Sequence, residues 1–71
     1  MQDKYSNIID NLIILRKNKR LSQKDLVKAT NLVQPAIARM ENKRAVPQLD
    51  TLIKVNEALG YIVKLVPLNE V

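Results

Sequence analysis

Apolar residues recur at three- and four-residue intervals over most of this chain, and the interval changes only near its end. Ile8, Ile9, Leu12 and Leu15 share one helical face and predict a first helix over residues 5–19, with Ser6 as a candidate cap. Ile13 and Ile14 widen that face beyond what a single core contact needs. A shorter second helix follows Ser22, whose hydroxyl can accept from a free backbone N–H, with Asp25 near the reciprocal position of a capping box. Leu26, Val27 and Ala29 are expected on its buried side. Thr30-Asn31 ends it, because asparagine tolerates the left-handed backbone of a tight helix exit.

A third helix is predicted from about Gln34 to Asn42. Pro35 is tolerated in its first turn, where the missing N–H has no intrahelical partner. Ile37 and Met40 face inward, while Ala36, Ala38 and Arg39 face elsewhere. The second and third helices are separated by only a few residues. Such a pair makes a helix-turn-helix, whose second helix can enter the major groove of DNA. After a polar loop over 42–48, a fourth helix is predicted over Leu49–Leu59, with Leu49, Leu52, Ile53, Val55 and Leu59 apolar and Gly60 just past its end.

Then the period changes. Tyr61, Ile62, Val63, Lys64, Leu65 and Val66 are rich in strand formers and stop at Pro67. A lone strand after four helices has no partner in its own chain, and an unpaired strand is unstable. Pairing with the same strand of a second copy is the simplest solution. The expected organisation is therefore a helical unit over 1–60 and a dimerising strand and tail over 61–71.

Composition narrows the chemistry. Seventy-one residues suffice for one small domain. The chain has no cysteine and no histidine, so disulfides are excluded, and neither a metal nor another cofactor is expected. With a single glycine and no clustered carboxylates, it does not read as an enzyme. Its longest apolar runs are far too short to span a bilayer, and its first 20 residues do not resemble a secretory signal, so a cytoplasmic protein is expected. The net charge is +5, which favours an acidic partner such as nucleic acid. Arg16, Lys17, Lys19 and Arg20 cluster, Lys24 and Lys28 follow, and Lys43 and Arg44 form a second group. Two tyrosines are too few for a base-stacking platform, which points away from single-stranded or RNA ligands.

Four segments at fixed offsets carry a resemblance. Leu12–Arg16 fits L-x-x-L-R, Leu21–Val27 fits L-S-Q-x-x-L-A, Gln34–Glu41 fits Q-x-x-I-x-R-x-E, and Leu49–Gly60 fits L-x-x-L-x-x-x-x-x-A-L-G. Together they resemble the Xre/Cro-type helix-turn-helix family of phage repressors and bacterial regulators. The chain departs from that pattern at Val27 for the usual alanine, Asn31 for the turn glycine, Val33 for the Ser or Thr cap, and Lys43 for the glycine after the third helix. The helix end running directly into Tyr61–Val66 is similar to antitoxins of the HipB type.

The resemblance implies an all-α, four- to five-helix lambda-repressor-like domain with a C-terminal strand paired across a homodimer. It implies double-stranded operator DNA as ligand, a nucleoid location, and a HipA-like kinase toxin as a possible partner. A phage-type repressor or a restriction-modification controller protein without a toxin is the alternative. Arg16 and Glu41 would form a structural ion pair. Gln34 can pair bidentately with adenine and Arg39 with guanine, or Arg39 can grip a phosphate. Pro35 and Ala38 are candidates for thymine methyls. Phosphate contacts are expected from Gln23, from Ser22 at the start of the second helix, and from Asn42, Lys43 and Arg44 beyond the third. Ile13 and Ile14 either extend the core toward the C-terminal segment or form a protein-binding patch.

Overall fold

Four helix exits shape the fold, and each is made by a residue in the left-handed region. They divide residues 4–70, the part of the chain that the computed structural model describes, into α1 (Lys4–Asn18), α2 (Gln23–Thr30), α3 (Gln34–Glu41) and α4 (Leu49–Ala58), followed by a short 3-10 turn (Leu68–Glu70). Met1–Asp3 of the expected 1–60 unit and Val71 of the expected tail lie outside the described residues.

Three of the exits share one mechanism. After α1, Arg20 (φ +58°) donates its N–H to Lys17 O and Leu21 donates to Arg16 O. After α3, Lys43 (φ +63°) donates to Met40 O and Arg44 to Arg39 O. After α4, Gly60 (φ +85°) donates to Glu57 O and Tyr61 to Asn56 O. These nested pairs satisfy the carbonyls that a helix end leaves without partners. The exit from α2 is simpler: Asn31 (φ +60°) donates to Val27 O. Only one of the four positions is glycine. At Arg20 and Lys43 the Cβ costs roughly 1–2 kcal/mol in this conformation.

The core is built from every helix. Ile9 and Leu12 of α1, Leu26 of α2, Ile37 and Met40 of α3, and Val55 and Leu59 at α4 are buried together, with Tyr5, Ile13, Leu15, Leu21, Val27, Leu32, Leu52 and Ala58 half-buried around them. Each full burial contributes about 1.5–3 kcal/mol. α2 packs on α3 and α4, and α1 packs on α3.

Ala29, expected on the buried side of α2, is exposed, and other apolar positions also stay outside the core. Ile8 lies at the exposed edge of its stripe. Leu49 is 66% exposed and Ile53 is 36% exposed. The apolar residues of α4 spread over more than one face, and only the face with Val55 and Leu59 meets α2. Of the two isoleucines that widen α1, Ile13 joins the core and Ile14 stays exposed. Thr30, read in the sequence only as part of the end of α2, is buried, and its hydroxyl bonds within the following turn.

Tyr61–Pro67 forms no strand, and none of the described residues is in one. A strand is defined by its partner, and the single chain offers none. The segment is exposed along its length, with Ile62 at 75%, Leu65 at 100% and Leu68 at 88%. Among the described residues no helix is long and apolar enough to cross a membrane.

Candidate nucleic-acid interface

One ion pair organises the ends of α1, α2 and α3. Arg16 Nε donates to Glu41 Oε2 at 2.7 Å and Nη2 donates to Oε1 at 2.8 Å, a bidentate match. Arg16 Nη1 donates to Leu21 O at 2.8 Å, and Gln23 Nε2 donates to Glu41 Oε1 at 3.1 Å. The two charged side chains are about nine-tenths buried. With both partners present and hydrogen-bonded, such a pair is tolerated in a thin core. Removing one leaves a buried charge unpaired. Arg16 is thereby withdrawn from the basic surface, and Gln23 is held by its amide against the end of α3.

The entry to α2 is equally determined. Ser22 Oγ accepts from Asp25 N at 3.1 Å, and Asp25 Oδ2 accepts from Ser22 N at 2.7 Å, which closes a capping box. These bonds from Ser22 hold the Asp25 carboxyl below its ordinary value of 3.8, burial opposes the shift slightly, and the nearby Lys28 charge adds to it. The turn to α3 is built by Thr30, whose hydroxyl donates to Leu26 O and accepts from Leu32 N at 3.2 Å. A Thr before an Asn at a helix end is the available sequence signal for this role.

α3 divides cleanly by face. Ile37 and Met40 are buried, Ala36 and Ala38 half-buried, and Gln34, Pro35 and Arg39 exposed. Its N-cap is Val33, which supplies no side-chain hydrogen bond. Among the described residues, the Gln34 amide and the Arg39 guanidinium have no hydrogen-bond or ion-pair partner. Arg39 also lines a cleft of about 320 Å³ with Ala36, Ala45, Pro47 and Thr51, between α3 and the start of α4.

The turn after α3 contrasts with this. Asn42 Oδ1 accepts from Arg44 N at 3.0 Å. Lys43 Nζ lies 2.7 Å from Asp10 Oδ1, and Tyr5 Oη donates to Lys43 O at 3.4 Å. Arg44 is exposed. Neither Asp10 nor Tyr5 stands out in the sequence, since nothing local joins residues more than thirty positions apart. The remaining basic residues of the cluster, Lys17, Lys19, Arg20, Lys24 and Lys28, are all exposed. Gln23, bonded to Glu41, and Asn42, Lys43 and Arg44, which follow it, thus gather at the C-terminal end of α3, with Ser22 next to Gln23.

Two short helices joined by a three-residue turn, the second presenting an unspent polar face, define a helix-turn-helix protein. The helix-turn-helix family model HTH_3 matches residues 12–62, and the chain belongs to this Xre-like family of DNA-binding transcription regulators. A relative from Haemophilus influenzae, described as an uncharacterized HTH-type transcriptional regulator, is 41% identical over 62 residues, 87% of this chain. The chain spans 63% of that relative's length. Among solved structures, a chain of a toxin-antitoxin module from Streptococcus pneumoniae is similar with a TM-score of 0.77 and 42% identity, over 89% of this chain and 71% of that one.

Proposed function

We propose that this chain is a sequence-specific repressor that binds double-stranded operator DNA as a symmetric homodimer, and that it is the antitoxin of a toxin-antitoxin pair. Residues 1–60 form the reading unit, and residues 61–71 join two copies through Tyr61–Val66. The two copies of α3 enter successive major grooves about 34 Å apart on a palindromic site. Gln34 and Arg39 read base edges, and Pro35 and Ala38 meet thymine methyls. Gln23, Asn42 and Arg44 hold phosphates, and Ser22 caps the start of α2, whose remaining backbone N–H groups favour an anion.

The observation that carries this reading is the division of α3. Its inner face is consumed by Ile37, Met40 and Glu41, and its outer face offers Gln34 and Arg39 with their hydrogen-bonding groups unspent. The charge of +5, most of it exposed around α1 and α2, supports an anionic ligand. The antitoxin reading rests on the similarity to the Streptococcus pneumoniae chain. The partner we propose is a HipA-like kinase toxin, with repression of the shared operon. A repressor or controller protein without a toxin is the second reading, favoured if no neighbouring gene encodes a kinase-like partner.

Gel shifts against the upstream region of its own gene test the DNA reading. We expect saturable, salt-sensitive binding at one palindrome, and its absence at every upstream palindrome would refute the proposal. Co-purification with the product of the adjacent gene tests the partner, and recovery of the chain alone from cells expressing both would remove it.

A further inference from the structure

Lys43 occupies a position where its backbone is costly. At φ +63° the αL conformation favours glycine, or asparagine, over a long side chain. The exits after α2 and α4 use Asn31 and Gly60. Arg20 takes the same conformation without a side-chain partner among the described residues, whereas at Lys43 the structure supplies two contacts on the same residue. Its ammonium lies 2.7 Å from Asp10 Oδ1, and its carbonyl accepts from the Tyr5 hydroxyl. Both partners sit on α1. The side chains of Lys43 and Asp10 are about two-thirds and half buried, so the pair is more shielded than an ordinary surface contact.

We propose that Lys43 is a latch rather than a phosphate ligand: with Asp10 and Tyr5 it clamps the turn after α3 to α1 and so positions Arg44. The proposal rests on the DNA-reading function and assigns Asp10, Tyr5 and Lys43 as positioning residues for it. Among the described residues the turn is also held by the backbone bonds of Asn42, Lys43 and Arg44 and by the Asn42 side chain on Arg44 N. Without the latch, Arg44 and its turn lose this hold on α1, while the Arg16–Glu41 pair still ties the end of α3 to it.

The charge logic gives an unusual sign. Removing a carboxylate from a DNA-binding surface ordinarily raises affinity. A latch predicts the opposite for Asp10.

A charge exchange decides between latch and phosphate ligand. Asp10→Lys with Lys43→Asp keeps the net charge, and aspartate is among the residues that tolerate the left-handed backbone at 43. The probe is the tightest duplex selected by the full-length chain from a randomised pool, measured across a salt series. Asp10→Asn and Lys43→Met should each weaken binding roughly two- to five-fold, with the salt slope unchanged. Arg44→Met should lower that slope by about one unit. The exchanged double variant should recover most of the wild-type affinity, whereas Lys43→Asp alone should not. A slope lowered by about one in Lys43→Met, tighter binding by Asp10→Asn, or no recovery on exchange would overturn the latch.

Thermal melts of the same proteins without DNA read the pair independently. The two exchanged substitutions should be non-additive, and additive losses would overturn the pair itself. If the wild-type chain selects no duplex at all, the DNA reading fails, while the melts still decide the Asp10–Lys43 contact.

Discussion

The helical body and the C-terminal segment treat apolar residues in opposite ways. In the body, Ile9, Leu12, Leu26, Ile37, Met40, Val55 and Leu59 find one another, and the charged groups at its edge find partners, Arg16 with Glu41 and Lys43 with Asp10. In the segment after Gly60, Ile62, Leu65 and Leu68 are almost wholly exposed, and the backbone takes no regular form before the last turn. The body is complete within one chain. The segment has the composition of a strand and no partner strand among the described residues. The difference teaches that the body meets its own needs within one chain and the segment does not; on the function proposed above, the body then answers to DNA and the segment to a second copy.

Breaking the body should therefore be costly, and breaking the segment should cost the monomer little. Arg16→Ala leaves Glu41 buried without its partner and should lower folding stability by about 3–5 kcal/mol, read from urea unfolding. Retention of wild-type stability would mean that the pair does not brace α1 against α3. Deleting 61–71 should leave helical content by circular dichroism near that of the intact chain and shift sedimentation from dimer to monomer. A deleted chain that still sediments as a dimer would place the interface on the body and end the contrast.

Smaller changes test how finely the body is specified. Ser22→Ala removes one side of the capping box and should cost about 1 kcal/mol by thermal unfolding. Asp25 gives a pH signature. Its folded pKa lies below its ordinary value, so the stability it contributes is present above that value and is lost as pH falls through the folded one. Asp25→Asn should flatten the acid limb of the stability profile below about pH 4 and leave its neutral portion the same shape. An acid limb identical in wild type and variant would remove the carboxyl from that role.

What was legible in the sequence was mostly local. Ser22 with Asp25, Asn31 and Gly60 mark helix ends through chemistry confined to a few residues, and these ends lie where expected. Ile37 and Met40 were readable as the inner face of α3 from their spacing. The Arg16–Glu41 contact came only through the family resemblance, because 25 residues separate its members. Arg20 and Lys43 in the left-handed region carry no local mark, since basic residues do not advertise that conformation. Which apolar residues of α4 are buried was not legible, because α4 has apolar residues, Leu49 and Ile53 among them, on more sides than it has neighbours. The strand over 61–66 was read from residue type alone, and residue type cannot supply the second strand on which its formation depends.

The central claim is that α3 reads base sequence through Arg39. Its most direct test is the affinity of wild type and Arg39→Ala for a duplex carrying a single-base change at each position in turn, at one fixed salt concentration. We expect Arg39→Ala to lose about 1–3 kcal/mol on the preferred duplex and to become indifferent to the base at one symmetric pair of positions. An equal loss on every duplex, with the base preferences of the wild type intact, would contradict the account.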